Sequence, residues 1–325
     1  MNKFIPASEV RQLCLDFLDL KRATGVKYET EAKILRQFSK YCEQRFPNSD
    51  LPEDTIYNWI YDASNQSMKT RSNNASTLIQ WAQYLFSLGY MQLKLPTVKC
   101  PRNTAFIPHI FSTAEMQSIW NTVDHIQPMK VYPNLHRCIS VLFRLLYANG
   151  LRINEALQIT LGDIDFNTNV ITLRHTKLDK ERLIPMSESM ARVMKSYAEE
   201  HAEELDADSP FFYYRKGVRL THGSVYGRFR MTLHDSGIPY QGKLRGPRLH
   251  DLRHTFAVST MNRLSDNGND LYVILPILST YLGHSGIKST ERYIRLTEDR
   301  LSTITDSIQI KIPDVFPEVK ENAEF

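Results

Sequence analysis

Between Met91 and Phe111 the hydrophobic periodicity of the chain breaks, and Pro96, Pro101 and Pro108 fall inside the break. Proline fixes its own φ and pushes the preceding residue away from helix, so no regular element runs through such a stretch. The 325 residues therefore read as two bodies on either side of a linker. The expected boundaries are a first domain over 1–95, a linker over 96–110, a second domain over 111–300 and a tail over 301–325.

Before the break the spacing is helical. Val10, Leu13, Cys14, Phe17 and Leu20 make one apolar stripe that Gly25 is placed to end. Ile34, Leu35, Phe38, Tyr41 and Cys42 make a second, Ile56, Trp59 and Ile60 a third. Leu78, Ile79, Ala82, Leu85 and Phe86 make a fourth, stopped near Gly89. Four short amphipathic helices predict a small bundle. After the break, Ser112-Thr113-Ala114-Glu115 has the form of a capping box. The second half is mostly helical, interrupted by Val170–Arg174 and Arg182–Met186, which read as a β-hairpin around a polar turn from His175 to Glu181. The expected fold class is mainly α with one small β-hairpin or sheet.

Composition narrows the function classes. A 42% hydrophobic content supports a packed core. No apolar run approaches the ~20 residues that span a bilayer, so no membrane partner is expected. The opening Met-Asn-Lys-Phe-Ile-Pro lacks an apolar leader, which predicts a cytoplasmic protein. Cys14, Cys42, Cys100 and Cys138 lie far apart without metal-ligand spacing and read as buried thiols. Residues 211–253 carry nine basic side chains against Asp235 and Asp251, interleaved with Phe211, Phe212, Tyr213, Tyr214, Tyr226 and Phe229. Bases among aromatics suit a nucleic-acid backbone, and a solvated basic face explains the same stretch equally well.

Four segments hold side chains that carry chemistry. An apolar helix through Cys138, Ile139, Leu142, Phe143 and Leu146 ends at Gly150, and Arg152 follows at once. Taken alone, Arg152 and Glu155 read as a surface pair at i,i+3. Lys177 lies in the hairpin turn, where a lysine is ordinarily solvated. His250 and Arg253 share one helix face. His250 and His254 at i,i+4 would suit two metal ligands, but the glutamate of an HExxH motif is missing and no third ligand is nearby. Leu282-Gly283-His284 is followed nine residues later by Tyr293, on a helix expected to start at Ser289 or Thr290.

In order and spacing these segments resemble the tyrosine recombinase (phage integrase) family. That family has an arginine after Gly-Leu, matched by Arg152 with Glu155 three residues on, and a hairpin lysine, matched by Lys177 with Lys180 as a neighbouring rival. Its His-x-x-Arg box matches His250 and Arg253, its Leu-Gly-His box ends at His284, and its nucleophile falls at Tyr293. The resemblance covers roughly 110–298. The turn departs from the family in having Thr176 and Leu178 where many members place glycines.

The resemblance implies a helical core-binding domain followed by a mixed α+β catalytic domain. It implies DNA strand cleavage through a 3′-phosphotyrosine, without metal, cofactor or ATP, because the covalent link conserves the bond energy. Arg152 and Arg253 would fork onto phosphate oxygens, and His284 would donate a further hydrogen bond. His250 would take the Tyr293 proton and Lys177 would protonate the leaving 5′-oxygen. The implied partners are double-stranded DNA at specific recombination sites, a homo-tetramer on paired sites, and accessory proteins in some systems.

Leu301, Ile304, Ile308, Ile310, Ile312, Val315 and Phe316 give the tail an apolar face, expected to dock on a neighbouring protomer or fold back on its own. No arm-binding domain precedes residue 8, which favours a mobile-element integrase or transposase over the longer phage enzymes. The competing readings are a type IB topoisomerase, which relaxes DNA without pairing sites, and a DNA-binding regulator that has lost catalysis.

Overall fold

The computed structural model describes residues 3–62, 66–98, 107–174, 181–239, 241–242, 246–284, 286, 290 and 293. The chain divides into two compact units, residues 1–105 and 106–325. The first holds α1 (Val10–Ala23), α2 (Glu29–Arg45), α3 (Thr55–Asp62) and α4 (Met68–Ser87). Their apolar stripes meet in one core in which Phe38 lies edge-on to both Trp59 and Trp81, with ring centroids 5.5 Å apart in each pair. Leu20 and Phe86 belong to the sequence stripes yet stay more than half exposed, while Leu18 and Trp81 take the inward places.

The second unit opens with α5 (Thr113–Asp124), whose capping box between Ser112 and Glu115 is fully formed. Next comes α6 (Leu135–Asn149), buried along most of its surface by Cys138, Val141, Leu142, Phe143, Leu145 and Leu146, with Arg137 and Arg144 on the side that remains open. A helix with so wide an apolar surface belongs at the centre of a domain. The chain continues through α7 (Ile153–Gln158), β1 (Ile164–Asp165), β2 (Val170–Leu173), β3 (Arg182–Pro185) and α8 (Glu188–Glu200). Then come β4 (Tyr213–Arg215), β5 (Val218–Arg219), α9 (His222–Asp235), α10 (Asp251–Asp266) and α11 (Leu271–Leu282). Helices α5, α8 and α10 pack around α6, and α11 packs on α10.

The expected hairpin is present as β2 and β3, antiparallel, and β1 adds a third strand on the β2 side. Ile171 and Ile184 pair across the strands and face the core, which leaves Leu183 outside. The register sets Leu173 opposite Arg182, so Arg182 stands at the base of the turn. Strands β4 and β5 form a separate two-stranded ribbon.

The basic stretch 211–253 does not interleave its aromatics with its bases on one face. Phe211, Phe212, Tyr213 and Phe229 are core residues. Consecutive aromatics are held inward by the area they bury, and only the cations between them remain outside. Cys14, Cys42 and Cys138 are free and buried, and burial pushes the Cys42 and Cys138 thiols up to about 12. Among the described residues no helix is long and apolar enough to cross a membrane.

Candidate active site

Two helix ends and one helix start converge in the second unit. Helix α6 stops at Gly150, which caps it in the left-handed region at φ 59°, and a Cβ there would overlap the Phe256 ring. The chain turns at once into α7, and Arg152 becomes its N-cap. Helix α11 stops in the same way at Gly283, φ 63°, where a Cβ would overlap Arg182 Nη1. Helix α10 starts beside both ends and carries His250 at its N-cap, Arg253 in its first turn and His254 next to it.

Arg253 fastens the three together. It is 2% exposed, and its Nη1 donates to the Gly150 carbonyl at 2.7 Å. Its Nη2 reaches the Leu282 carbonyl at 2.6 Å and His284 Nε2 at 3.0 Å. Burial, then the neighbouring Arg152 cation, lowers the guanidinium to about 10, so it stays charged at neutral pH. A guanidinium has donors only, so His284 Nε2 accepts, and its proton sits on Nδ1, 2.8 Å from Thr290 Oγ1. His284 is therefore neutral and both its nitrogens are engaged. In this arrangement it holds Arg253.

Arg152 Nη1 donates to Glu155 Oε1 at 2.6 Å and its Nη2 to the Gly283 carbonyl at 2.8 Å. The other carboxylate oxygen, Oε2, accepts from the Arg152 backbone at 3.0 Å and from Arg182 Nη2 at 3.1 Å. Glu155 is 5% exposed. Burial works against its charge, but the Arg152 amide and the Arg182 and Arg152 guanidiniums prevail and hold the carboxyl below the usual range. The Arg152–Glu155 pair that reads as a surface pair in sequence is thus a buried one, shared with a third residue.

Arg182 is the site residue that sequence reasoning missed. Its signal was a cation opening an otherwise apolar strand, and only the β2–β3 register gives that cation a destination. Arg152, Arg182 and Arg253 gather around one carboxylate, Glu155, among the described residues. The cluster keeps a surplus of fixed positive charge, and no group of metal-ligating side chains occurs among the described residues. Lys177 and Lys180 lie outside the described residues.

His250 faces solvent beside this cluster. Burial, then the neighbouring Arg253 and Arg152 guanidiniums, pushes its imidazolium down to about 4. Burial and the same arginines push His284 down to about 4. Tyr293 is 2% exposed, with its ring centroid 6.2 Å from that of His284. Its hydroxyl lies 3.2 Å from Nδ1 of His254, one turn beyond His250. Among the described residues no hydrogen bond joins His250 to this hydroxyl.

The depressed histidines make stability depend on pH. An unfolded histidine titrates near ~6.5, so as pH falls from there toward about 4 the unfolded chain binds protons that the folded site refuses. Stability present above pH ~6.5 is therefore lost on acidification. Asp251 acts in the opposite sense, since burial raises its carboxyl to about 6 and the folded state takes that proton first. Solvent screening at His250 and His284 keeps the net effect small. The Tm is expected to fall modestly between pH 7 and pH 5, less in His284→Asn and more steeply in Asp251→Asn. A Tm that rises on acidification would refute the assignment.

Residues 110–300 match the Phage integrase family. A Sinorhizobium fredii protein named integrase/recombinase y4rB is 30% identical over 88% of this chain and 93% of its own length. The tyrosine recombinase XerC of Chlamydia caviae is 29% identical over 89% of this chain and 88% of its own. Among solved structures, a lambda integrase dimer bound to a COC' core site superposes with a TM-score of 0.62 at 14% identity, covering 90% of this chain and 77% of that one. The Tn1549 transposon integrase in complex with transposon right end DNA gives 0.61 at 19% identity, covering 93% and 98%. At those identities the superpositions speak for the fold, and the family match and the curated relatives speak for the lineage: the chain belongs to the phage integrase family, the tyrosine recombinases, enzymes that cleave and rejoin DNA.

Proposed function

We propose that the chain recombines DNA at specific sites, with Tyr293 as the nucleophile that forms a 3′-phosphotyrosine and frees a 5′-hydroxyl. The observation that carries the reading is the surplus of fixed cations beside a tyrosine hydroxyl. Arg152, Arg182 and Arg253 surround a single carboxylate, and Tyr293 stands against the histidines of the same cluster. A phosphodiester gains charge on its non-bridging oxygens as it becomes pentavalent, and preorganised guanidiniums stabilise that charge. Arg152 and Arg253 take this role, His284 fixes Arg253, and His250 on the open side accepts the proton of Tyr293 when DNA is bound. Lys177 protonates the leaving 5′-oxygen, and no cofactor enters. The first unit acts as the core-binding domain on the same duplex. The substrate is the ends of a mobile element, in keeping with the integrase name of the Sinorhizobium fredii relative.

The test is a duplex from those ends, nicked beside the cleavage point, incubated with the protein in EDTA without ATP. A covalent adduct on a denaturing gel, mapped by proteolysis to the peptide containing Tyr293, is the expected result. Binding without an adduct would turn the reading toward a regulator.

Assembly on paired sites as a tetramer belongs to the same proposal. In its support, α11 leaves Tyr272, Val273 and Ile277 exposed, an apolar face suited to the 301–316 segment of a second copy. That segment lies outside the described residues. Truncation after Asp306 is expected to spare binding to a single site and abolish the tetramer in sedimentation on paired sites. An intact tetramer would remove this docking.

A further inference from the structure

We propose that Arg182 is a positioning residue for strand cleavage that acts through Glu155. It offsets the carboxylate that aims Arg152 and so leaves the Arg152 charge available to the phosphate. The inference rests on the recombinase reading above and names the origin of the surplus charge at its site. Arg152 is pointed by a carboxylate, since its Nη1 donates to Glu155 Oε1 at 2.6 Å. A carboxylate that close also cancels the charge that it points. Arg152 and Glu155 alone would form a neutral pair, which gives little to a phosphate whose negative charge is growing. Arg182 changes the balance, because two guanidiniums and one carboxylate leave one positive charge over. Its Nη2 donates at 3.1 Å to Glu155 Oε2, the oxygen that Arg152 reaches through its backbone amide at 3.0 Å. The two guanidiniums thus take separate oxygens of one carboxylate.

The fold builds a seat for this further cation. Arg182 opens β3 opposite Leu173, and its side chain is mostly buried. Its Nη1 occupies the space that a side chain at position 283 would need, since a Cβ on Gly283 would overlap it. The glycine that ends α11 therefore meets two demands, the left-handed φ of 63° and the room for Arg182. Arg152 Nη1 lies 3.6 Å from the same Cβ position, and Arg152 Nη2 donates to the Gly283 carbonyl, so both guanidiniums sit against one residue. Like charges held so close repel, and among the described residues Glu155 is the carboxylate that bonds them both. Arg182 Nε is buried without a hydrogen-bond partner among the described residues. A buried guanidinium with unused donors costs stability that a neutral side chain of similar length would not. Packing alone does not ask for a charge in that place; offsetting Glu155 does.

The experiment measures single-turnover cleavage of the nicked duplex at saturating DNA by wild type, Arg182→Met and Arg182→Lys. Each acts on the ordinary phosphodiester and on a methylphosphonate at the cleavage position, where a methyl group replaces one charged oxygen. The methylphosphonate transition state carries one negative charge fewer, so it asks less of the cations. Methionine keeps most of the length without the charge, and lysine keeps the charge without the fork. On the phosphodiester Arg182→Met is expected to be slower by about 10–10²-fold, a weakened charge donor being less costly than a missing one. Its affinity in a gel shift should stay near wild type, because binding is spread over many phosphate contacts. On the methylphosphonate the ratio of wild-type to Arg182→Met rate should shrink severalfold, and Arg182→Lys should lie between the two on the phosphodiester. Should methionine perturb folding, Arg182→Gln carries the same test, keeping a donor to Glu155 without the charge.

A wild-type rate in Arg182→Met on the phosphodiester would overturn the proposal. An equal loss on both substrates would also overturn it, showing a brace between β3 and α7 whose charge is incidental. So would an Arg182→Lys no faster than Arg182→Met. Those outcomes strike the proposal and leave the recombinase reading standing, whereas a wild type that forms no adduct would overturn that reading and the proposal with it.

Discussion

Tyr293→Phe is expected to keep its fold, bind the duplex as wild type does and form no covalent adduct. The ring is held by apolar neighbours on two helices: Ala257, Val258 and Met261 of α10, and Ile274, Leu275, Leu278 and Leu282 of α11. Phenylalanine preserves all of that packing. What it removes is one oxygen and the hydrogen bond to His254, worth about 0.5–1.5 kcal/mol. In a domain of roughly 200 residues each kcal/mol moves the Tm by about 2–4 °C, so the melting shift is small. The cations that face DNA are untouched, so affinity stays. The hydroxyl of Thr290, the near neighbour, pairs with His284 and does not stand in as a nucleophile. A denaturing gel for the adduct, a gel shift for binding and a melting curve give the three readings. An adduct surviving the substitution would show that another side chain attacks.

The sequence carried the centre of each helical stripe and lost its edges. Periodicity alone does not separate Leu18 from Leu20 on α1, since both lie near the stripe. The neighbours α2 and α4 decide, and they bury Leu18. Strands β1, β4 and β5 have two or three residues each and are too short to show alternation. Phe211 and Phe212 misled because basic neighbours made them look like a surface. In the site, Arg152, His250, Arg253, His284 and Tyr293 were legible as residue types at family spacing. Their partners were not, because the bonds that position them join residues 103 or 131 apart, as from Arg253 to Gly150 and from Arg152 to Gly283. Arg182 is the clearest case. Its role follows from strand register and from the absence of a Cβ on Gly283, and neither is a local property.

Glu155→Ala puts the buried reading of that pair to the test. If Arg152 and Glu155 were the surface pair that their spacing alone describes, losing the carboxylate would cost about 0.2–0.5 kcal/mol. The structure instead has Glu155 accepting from the Arg152 amide, the Arg152 guanidinium and Arg182, at 5% exposure. Removing one partner of a buried ion pair leaves the others uncompensated and costs about 3–5 kcal/mol. The expected fall in the Tm of the second unit is therefore roughly 6–20 °C. Activity should fall further than stability. Without Glu155, the Arg152 guanidinium loses the bond that aims it, and Arg182 and Arg253 repel it within the same pocket. Single-turnover cleavage at saturating DNA is expected to drop by about 10²–10³-fold, the usual cost of misplacing one preorganised charge donor. Wild-type melting would return Glu155 to the surface. Lowered melting with an undiminished rate at a temperature where the variant is folded would mean that the carboxylate braces α7 without aiming Arg152.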